Sequence, residues 1–275
     1  LHLSSAAFLE AQDINRTHSF IAKLRAHNIS HLANFYAFDE YEGNASLVGS
    51  FFAPLKAAFP EVTTLTSART VARTMSAMSL NHVDAIVPVT DKMPDLHHQT
   101  QIQASGRQVW AYVFGAPFKD YANLRLDNPL GDARTLMWQL AAHKVDGFLY
   151  WSYNHFSSSE CSMAPIGVST SDGFVHGTEW RIYDSHSIAG DGRLLYCGDT
   201  GPIASTRLVN LRDGMEDFDY ISILNGMNPA AAQAALRRAG VMKGNVAVRF
   251  ANPQRDWDIL RTVREEVAQL IETSG

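Results

Sequence analysis

The sequence has little cysteine and no long apolar run, and each shortage excludes a class of protein. Only two of its 275 residues are cysteines, Cys161 and Cys197, too few for a disulfide scaffold or a four-ligand zinc site. No apolar run approaches the roughly 18 residues that cross a bilayer, so no membrane span is expected. Acidic residues outnumber basic ones by 28 to 23, and a formal charge of −5 argues against a nucleic-acid-binding protein, which needs a basic face.

Several common catalytic motifs are also missing. The sequence contains no G-x-S-x-G, no P-loop and no G-x-G-x-x-G, so serine nucleophiles, nucleotide hydrolysis and dinucleotide binding lose their usual support. The pair His97-His98 is predicted to lie in a polar loop after Met93-Pro94, without further metal ligands, so we interpret it as surface and expect no metal. His155 could touch a ligand, but a loop histidine is the simpler interpretation.

Short apolar runs alternate with helical patterns over the first two thirds of the chain. This rhythm is typical of a parallel sheet in an α/β fold, and the nearly continuous apolar character indicates strands covered on both faces. Five such units are fewer than the eight of a TIM barrel, which takes about 250 residues. Either the sheet is open, or the chain holds the second part of a barrel. The predicted strands are 34–38, 62–65, 85–89, 108–113 and 147–151, and the helices are 17–26, 51–59, 70–80 and 132–143.

The remaining third changes character. Residues 152–205 are rich in Gly, Ser, Asp and His and predict a long loop or a small hairpin, with a turn at Asp191-Gly192. Asn228-Pro229 predicts the start of a helix that ends at Gly240. A last helix is predicted from one apolar stripe, formed by Trp257, Leu260, Val263, Val267, Leu270 and Ile271. We therefore expect a domain over residues 1–225 and C-terminal helices over residues 226–275 that pack on it.

Asp39 and Glu40 directly follow the aromatic strand that ends at Phe38. Functional groups collect at the C-terminal ends of parallel strands, and a turn there can bring adjacent side chains to one site. One of two close carboxylates can remain a proton donor, which is what glycoside hydrolysis requires. The alternative is a solvated acidic loop, since Glu42 follows.

Aromatic residues gather at two other strand ends. Sugars present apolar C–H faces that stack on aromatic rings while polar groups fix their orientation. We expect Tyr112, Trp151 and Asn154 to bind substrate on this ground. For Phe114, Tyr150 and Tyr153 the simpler interpretation is packing in the core.

Two further patterns bear on the protein's location. Asn15, Asn28 and Asn44 each begin an N-x-S/T glycosylation sequon, an excess that favours a secreted or lumenal protein. Cys161 and Cys197 flank the irregular segment and would close a loop of roughly 35 residues. We expect a disulfide between them, and the alternative is two independent buried thiols.

Taken together, several stretches resemble the C-terminal part of the catalytic domain of glycoside hydrolase family 123, a family of β-N-acetylgalactosaminidases and related proteins. The similarity covers roughly residues 20 to 225. The matching stretches, in chain order, are Phe35 to Glu40, Val109 to Tyr112, Arg134 to Trp138, Val145 to Trp151, Gly190 to Tyr196 and Ser205 to Asp217.

This resemblance implies a TIM-barrel fold and a substrate-assisted, retaining mechanism without a metal or organic cofactor. Asp39 would accept the N–H of the sugar's 2-acetamido group, whose oxygen attacks the anomeric carbon. Glu40 would protonate the leaving oxygen and later deprotonate water. The sequence departs from the family pattern at Tyr41 and Cys197, where proline is usual.

The resemblance also implies that only the later barrel strands are present, beginning with the strand before Asp39. We expect another polypeptide, an upstream fragment of the same precursor or a partner chain, to supply the missing strands. Residues 1–14 could replace one strand at most. The alternative function is a non-catalytic carbohydrate-binding or structural protein with a degenerate glycosidase barrel.

Overall fold

The computed structural model describes residues 2–3, 11–41, 43–69, 82–118, 120–155, 189–197, 201–251 and 253–274. The predicted helix over residues 70–80 and the thiol groups of Cys161 and Cys197 lie outside the described residues. The chain divides into two compact units. The first consists of Leu1–Tyr112 with Val145–Leu149, and the second of Val113–Lys144 with Tyr150–Gly275.

The first unit is built on a six-stranded sheet whose strands follow their order in the chain. The pairings from the first strand to the fifth are all parallel, which confirms the predicted α/β class. All five predicted strands are present, residues 108–113 with the predicted ends and the other four with shifted ends. The strands are β1 (His2–Leu3), β2 (Asn34–Tyr36), β3 (Thr63–Ala68), β4 (Ala85–Pro88), β5 (Gln108–Val113) and β6 (Gly147–Tyr150).

The additional strand β1 corrects one expectation. His2 and Leu3 pair with Asn34 and Phe35 of β2, so β2 does not begin the sheet. The strand that precedes Asp39 therefore has a neighbour on each side. Among the described residues, β1 and β6 are the two strands of this sheet with a single neighbour.

Three helices in the described part of the first unit pack against the apolar strands. They are α1 (Ala11–Ala26), α2 (Ala45–Ala58) and α3 (Leu96–Ala104). Ile21 of α1 and Phe52 of α2 are fully buried in one cluster with Phe35 of β2. Burial of such side chains stabilises the fold by about 1.5–3 kcal/mol each. The strand ends beside this core are thus attached to a packed framework.

The second unit is mainly helical. Its described residues form the helices α4 (Asp132–Ala142), α5 (Thr206–Met227), α6 (Pro229–Arg238) and α7 (Trp257–Ser274). Two antiparallel pairs join β7 (Leu195–Cys197) to β8 (Pro202–Ala204) and β9 (Met242–Lys243) to β10 (Val246–Ala247).

The predicted ends of α6 are confirmed, and the reason is local. Asn228 accepts a hydrogen bond from the backbone N–H of Ala231 at 3.1 Å, as an N-cap does, and Pro229 starts the helix. Gly240, with a φ of +73°, takes the left-handed conformation that ends it.

The apolar stripe of α7 is confirmed except at its first residue. Leu260, Val263 and Val267 are buried, and Leu270 with Ile271 packs partly buried against the same cluster. Trp257 instead is 44% exposed, because it stands in the first turn of the helix. The predicted boundary near residue 225 stays a prediction.

Candidate active site

The predicted carboxylates lie in a turn at the C-terminal end of β2. Phe38 and Glu40 have φ angles of +59° and +49°, a left-handed conformation that residues with a side chain rarely adopt. The turn therefore departs from the strand's alternation of faces. Backbone strain of this kind persists where the surroundings fix it, and it clusters at functional sites.

Strand β3 fixes this turn from the neighbouring position. The Thr66 hydroxyl donates to the carbonyl of Phe38 at 3.1 Å, and the Glu40 backbone N–H donates to Ser67 Oγ at 2.8 Å. Both hydroxyl-bearing residues are buried. Because β2 and β3 are parallel, the end of one strand can hold the turn that follows the other.

The exposed Asp39 carboxylate is held through one of its oxygens. Oδ1 accepts hydrogen bonds from Ser67 Oγ, at 2.9 Å, and from the Tyr36 hydroxyl. The Tyr36 hydroxyl also lies 2.7 Å from Ser67 Oγ, which closes a triangle of three polar groups. Both hydroxyls contact the same oxygen, so Oδ1 sets the orientation of the Asp39 carboxylate.

Glu40 has a different set of partners. The Tyr112 hydroxyl donates to Oε1 at 2.6 Å, and Nη1 of Arg69 lies 3.4 Å from Oε2. The Arg69 side chain is about half exposed. Glu40 is itself partly buried, so it is less open to solvent than Asp39.

Both tyrosines act as hydrogen-bond donors to these carboxylates. Burial raises the pKa of Tyr36 well above its usual range, and the hydrogen bond to Asp39 raises it further. Burial likewise raises the pKa of Tyr112, with Glu40 as the next cause. Each phenol therefore keeps its proton at neutral pH and remains a donor.

The site pairs two adjacent carboxylates with distinct hydrogen-bond partners. Such a pair can accept a proton at one group and donate one at the other, or stabilise a developing positive charge. The described residues contain no cluster of three or more His, Cys, Asp or Glu side chains able to hold a metal ion. The prediction of a loop at His97-His98 is wrong, because Asp95 caps a helix there: both residues lie in the first turn of α3, and His98 contacts Asp95.

Tyr112 was predicted to stack against a sugar. Its side chain is only 3% exposed, and the contact that the structure shows is the hydrogen bond to Glu40. This geometry makes Tyr112 a positioning residue for Glu40. A contact of its ring with substrate stays a prediction.

The other predicted sugar-binding residues belong to the second unit. Trp151 is 46% exposed, and its indole N–H donates to Asp191 at 2.9 Å. Asn154 pairs with Arg193 through an isolated antiparallel bridge. Tyr150, predicted to lie in the core, is partly buried and donates from its hydroxyl to Asp191 at 3.1 Å. Substrate binding by Trp151 and Asn154 stays a prediction.

The sequons fall in two kinds of structure. Asn28 and Asn44 are exposed next to helix ends, and Asn44 caps α2 through the backbone N–H of Ser46. Asn15 lies within α1. Glycosylation and secretion stay predictions. No helix among the described residues is long and apolar enough to cross a membrane.

Sequence reasoning missed Ser67, Tyr36, Arg69 and Asp191 as parts of functional sites. A usable signal existed for Ser67 and Arg69, because they lie at the end of β3, whose neighbour β2 ends in the two carboxylates. Asp191 stood within a turn that was predicted correctly, yet its side-chain partners lie some forty positions earlier in the chain.

Comparisons with known proteins show which family and which fold the chain resembles. The family model described as glycoside hydrolase 123, catalytic domain, matches residues 15–224. None of the curated proteins compared matches the sequence. A solved structure of a family 123 glycoside hydrolase from Clostridium perfringens, described in connection with glycolipid glycan hydrolysis, superposes with a TM-score of 0.55 at 13% identity. The alignment covers 98% of this chain, which spans 46% of that chain.

That structural similarity supports the fold, and the family match covers well over half of the sequence, including Asp39 and Glu40. The chain therefore belongs to glycoside hydrolase family 123.

Proposed function

We propose that this glycoside hydrolase removes terminal β-linked N-acetylgalactosamine, or another 2-acetamido sugar, by a substrate-assisted mechanism that retains the anomeric configuration. The observation that carries the proposal is the adjacent pair Asp39 and Glu40, in which each carboxylate has one oxygen fixed by its own hydroxyl donors. Because the two neighbouring carboxylates have different hydrogen-bond partners, they are suited to two different catalytic roles.

Asp39 is suited to orient the substrate's acetamido group. Its Oδ1 is anchored by Ser67 and Tyr36, which leaves Oδ2 to accept the amide N–H of the sugar. That hydrogen bond would turn the acetamido oxygen toward the anomeric carbon. As this oxygen forms its bond to carbon, positive charge develops on the resulting oxazolinium ring, and the Asp39 carboxylate stabilises it.

Glu40 is suited to move the proton. In its acid form it donates to the glycosidic oxygen while the bond from that oxygen to the anomeric carbon breaks. In the second step the Glu40 carboxylate takes a proton from water, whose oxygen attacks the anomeric carbon and restores the acetamido group. One water is consumed, and Glu40 ends in its starting form. Tyr112 holds Oε1 throughout.

The natural substrate belongs to the proposal as well. The solved relative is described with glycolipid glycans, and a neutral glycan chain with a terminal 2-acetamido sugar is the substrate class we propose. The exposed indole of Trp151 supports sugar binding, because aromatic rings stack on the apolar faces of pyranoses.

We also propose a secreted or lumenal location, on the ground of the exposed sequons at Asn28 and Asn44. A closed TIM barrel needs more strands than the six of the described sheet. We propose that another segment or chain pairs with its outer strands, since unpaired edge strands expose N–H and C=O groups that readily pair. A native mass equal to this chain alone would contradict that pairing.

The central test compares aryl β-glycosides of N-acetylgalactosamine with their 2-hydroxy analogues. We expect release of the aryl group from the 2-acetamido substrate alone, with the β-anomer of the sugar formed first in an NMR time course. Equal hydrolysis of the 2-hydroxy analogue would contradict substrate assistance. Sugar binding without any hydrolysis would instead support a non-catalytic carbohydrate-binding protein.

Variants of the pair complete the test. Glu40→Gln should lower kcat by about 100-fold or more for poor leaving groups and far less for activated ones. Asp39→Asn should lower turnover without unfolding the chain. Glu61→Gln is the matched control, because Glu61 is a carboxylate paired with Arg25 outside the site. Full activity in both site variants would overturn the mechanism.

A further inference from the structure

The second unit holds an exposed aromatic ring in a fixed orientation. An exposed indole N–H can be satisfied by water alone, yet Trp151 donates at 2.9 Å to Asp191 Oδ1. The His155 ring lies 4.8 Å from the indole by centroid, at an angle of 56°. The indole thus stays almost half exposed while its position is set.

The turn that carries Asp191 is shaped around the indole. Gly192 has a φ of +71°, and a Cβ at this position would approach Trp151 Cζ2 to 2.4 Å. Glycine alone can take this positive φ without strain and leave room for the indole. Tyr150 closes the turn, because its hydroxyl donates to Asp191 Oδ1 at 3.1 Å and accepts from the Gly192 N–H at 2.8 Å.

The guanidinium of Arg207, on α5, holds the turn from the side of the protein interior. Nη1 donates to the carbonyls of Leu124, at 2.7 Å, and Gly190, at 2.9 Å. Nη2 donates to the carbonyl of Arg193 at 2.6 Å. Arg207 is only 5% exposed, so these bonds are shielded from water.

Two of the bonded carbonyls, those of Gly190 and Arg193, flank the dipeptide Asp191-Gly192. Gly190 also has a positive φ, +75°, and a Cβ there would approach Arg207 Nη1 to 2.6 Å. A planar guanidinium with donors in a fixed fork can hold two carbonyls at a set separation, which the single ammonium of lysine cannot do. Arg207 therefore determines where the Asp191 carboxylate lies.

From this chain of contacts we infer that Asp191 and Arg207 are positioning residues for Trp151, and that the Trp151 indole is a preorganised platform for the apolar face of a neutral pyranose in the glycan. This inference rests on the proposed function for the identity of the glycan. A ring that is ordered before binding loses less conformational freedom on binding, and this raises affinity. The residues that fix it matter although they do not touch the sugar.

The test measures binding and KM for a neutral oligosaccharide that ends in β-linked N-acetylgalactosamine. Trp151→Ala should weaken binding and raise KM by about 3- to 10-fold, the range of one aromatic stacking contact. The matched control is Trp257→Ala, which removes an indole of similar exposure from α7. It should leave both quantities unchanged.

The positioning role is tested by a pair of substitutions at Asp191. Asp191→Ala removes the acceptor of the indole N–H and should raise KM like Trp151→Ala, with a smaller change in kcat. Asp191→Asn keeps an oxygen that accepts from both Tyr150 and Trp151 and should restore the wild-type KM. Arg207→Lys should give an intermediate KM, and its thermal midpoint shows whether the buried site tolerates lysine.

The outcomes separate this inference from the proposed function. If the 2-acetamido glycoside is hydrolysed and the KM of both Trp151→Ala and Asp191→Ala equals the wild-type KM, the platform is wrong and the enzyme assignment stands. If no hydrolysis occurs but Trp151→Ala still weakens glycan binding, the platform stands without catalysis. Absence of glycan binding by the wild-type protein would overturn the platform as well.

Discussion

The hydroxyl of Tyr112 donates a 2.6 Å hydrogen bond to Oε1 of Glu40, across 72 positions of sequence. The two residues come from the ends of β5 and β2, which lie in the same parallel sheet. The bond fixes one oxygen of the proposed proton donor, and the second oxygen lies near Arg69. Glu40 therefore has an orientation set before substrate arrives.

Removal of the Tyr112 hydroxyl should slow catalysis without preventing substrate binding. A hydrogen bond to a charged group contributes about 1.5–3 kcal/mol, so Tyr112→Phe should lower kcat by about 10- to 100-fold if Glu40 needs its fixed orientation. KM should change much less. Steady-state kinetics with the aryl glycoside measure both, and Tyr220→Phe on α5 is the control. An unchanged kcat in Tyr112→Phe would show that the Tyr112 hydroxyl does not position Glu40 for catalysis.

The buried phenols should also be visible in the alkaline titration. The pKa values of Tyr36, Tyr112 and Tyr150 are raised by burial first and by the adjacent carboxylates next. In the unfolded chain they titrate near pH 10. A raised pKa in the folded state contributes stability that is complete below about pH 10 and is lost as pH rises further.

Tyrosinate absorbance of the folded and urea-unfolded chain checks this expectation. The folded chain should gain less tyrosinate near pH 10 than the unfolded chain, and the free energy of unfolding should fall above that pH. Tyr112→Phe should leave the folded signal near pH 10 unchanged. A loss of one tyrosine's signal in that variant would show that Tyr112 titrates normally.

Ser67 should matter for both stability and turnover. Its hydroxyl donates to Asp39 and accepts from the backbone N–H of Glu40, which lies in the left-handed turn. Ser67→Ala leaves that N–H without its acceptor, so we expect a loss of about 1–3 kcal/mol in the free energy of unfolding. The displaced carboxylates should lower kcat by up to about 100-fold.

Urea unfolding and kinetics of the same samples test the two effects together. Ser222→Ala removes a serine hydroxyl that bonds the carbonyl of Phe218 on α5, and it is the control for a lost hydroxyl elsewhere. Turnover equal to wild type in Ser67→Ala would show that the turn at Asp39 and Glu40 keeps its shape without β3.

The strands and the location of the carboxylates were predictable because they depend on local pattern. Apolar runs mark the strands β2 to β6, and Asp39 and Glu40 closely follow β2. Strand β1 has two residues and no pattern of its own, so it forms only through its pairing with β2.

The partners of the carboxylates were not predictable, because they depend on strand register and backbone conformation. Tyr36 pairs with Leu65 in the ladder, which places Ser67 beyond the end of β2, where the turn begins. The left-handed φ angles of Phe38 and Glu40 have no glycine to signal them. From the sequence we predicted that the Tyr112 ring contacts a sugar, whereas the contact that the structure shows is the hydrogen bond from its hydroxyl to Glu40.

The disulfide between Cys161 and Cys197 stays a prediction that chemistry can test directly. A bond closing a loop of roughly 35 residues should stabilise the chain by about 3–4 kcal/mol. Titration of thiols in the denatured protein should find none before reduction and two after it. Two thiols before reduction would contradict the bond. Cys161→Ser and Cys197→Ser should then lower the thermal midpoint equally, because either one breaks the same link.

The last prediction concerns Asp217, whose side chain is fully buried in the second unit. The Arg134 guanidinium donates to its carboxylate through Nε at 2.6 Å and through Nη2 at 3.0 Å. Nε of Arg264 lies 2.8 Å from Oδ1, and the Trp138 indole N–H donates to Oδ2 at 2.8 Å. These partners join α4, α5 and α7 at a single carboxylate. Removing one member of a buried ionic group leaves the other charges without compensation, which costs about 3–5 kcal/mol.

Asp217→Asn should therefore lower the free energy of unfolding by about 3–5 kcal/mol in urea denaturation, although the side chain keeps its size. Asp213→Asn is the matched control, because Asp213 lies on the same helix and pairs with the exposed Arg212. Exposed pairs contribute little to stability, so its midpoint should equal that of wild type. Equal midpoints for Asp217→Asn and Asp213→Asn would show that apolar packing of Leu224, Leu260 and Val267 holds the three helices together without the charge at Asp217.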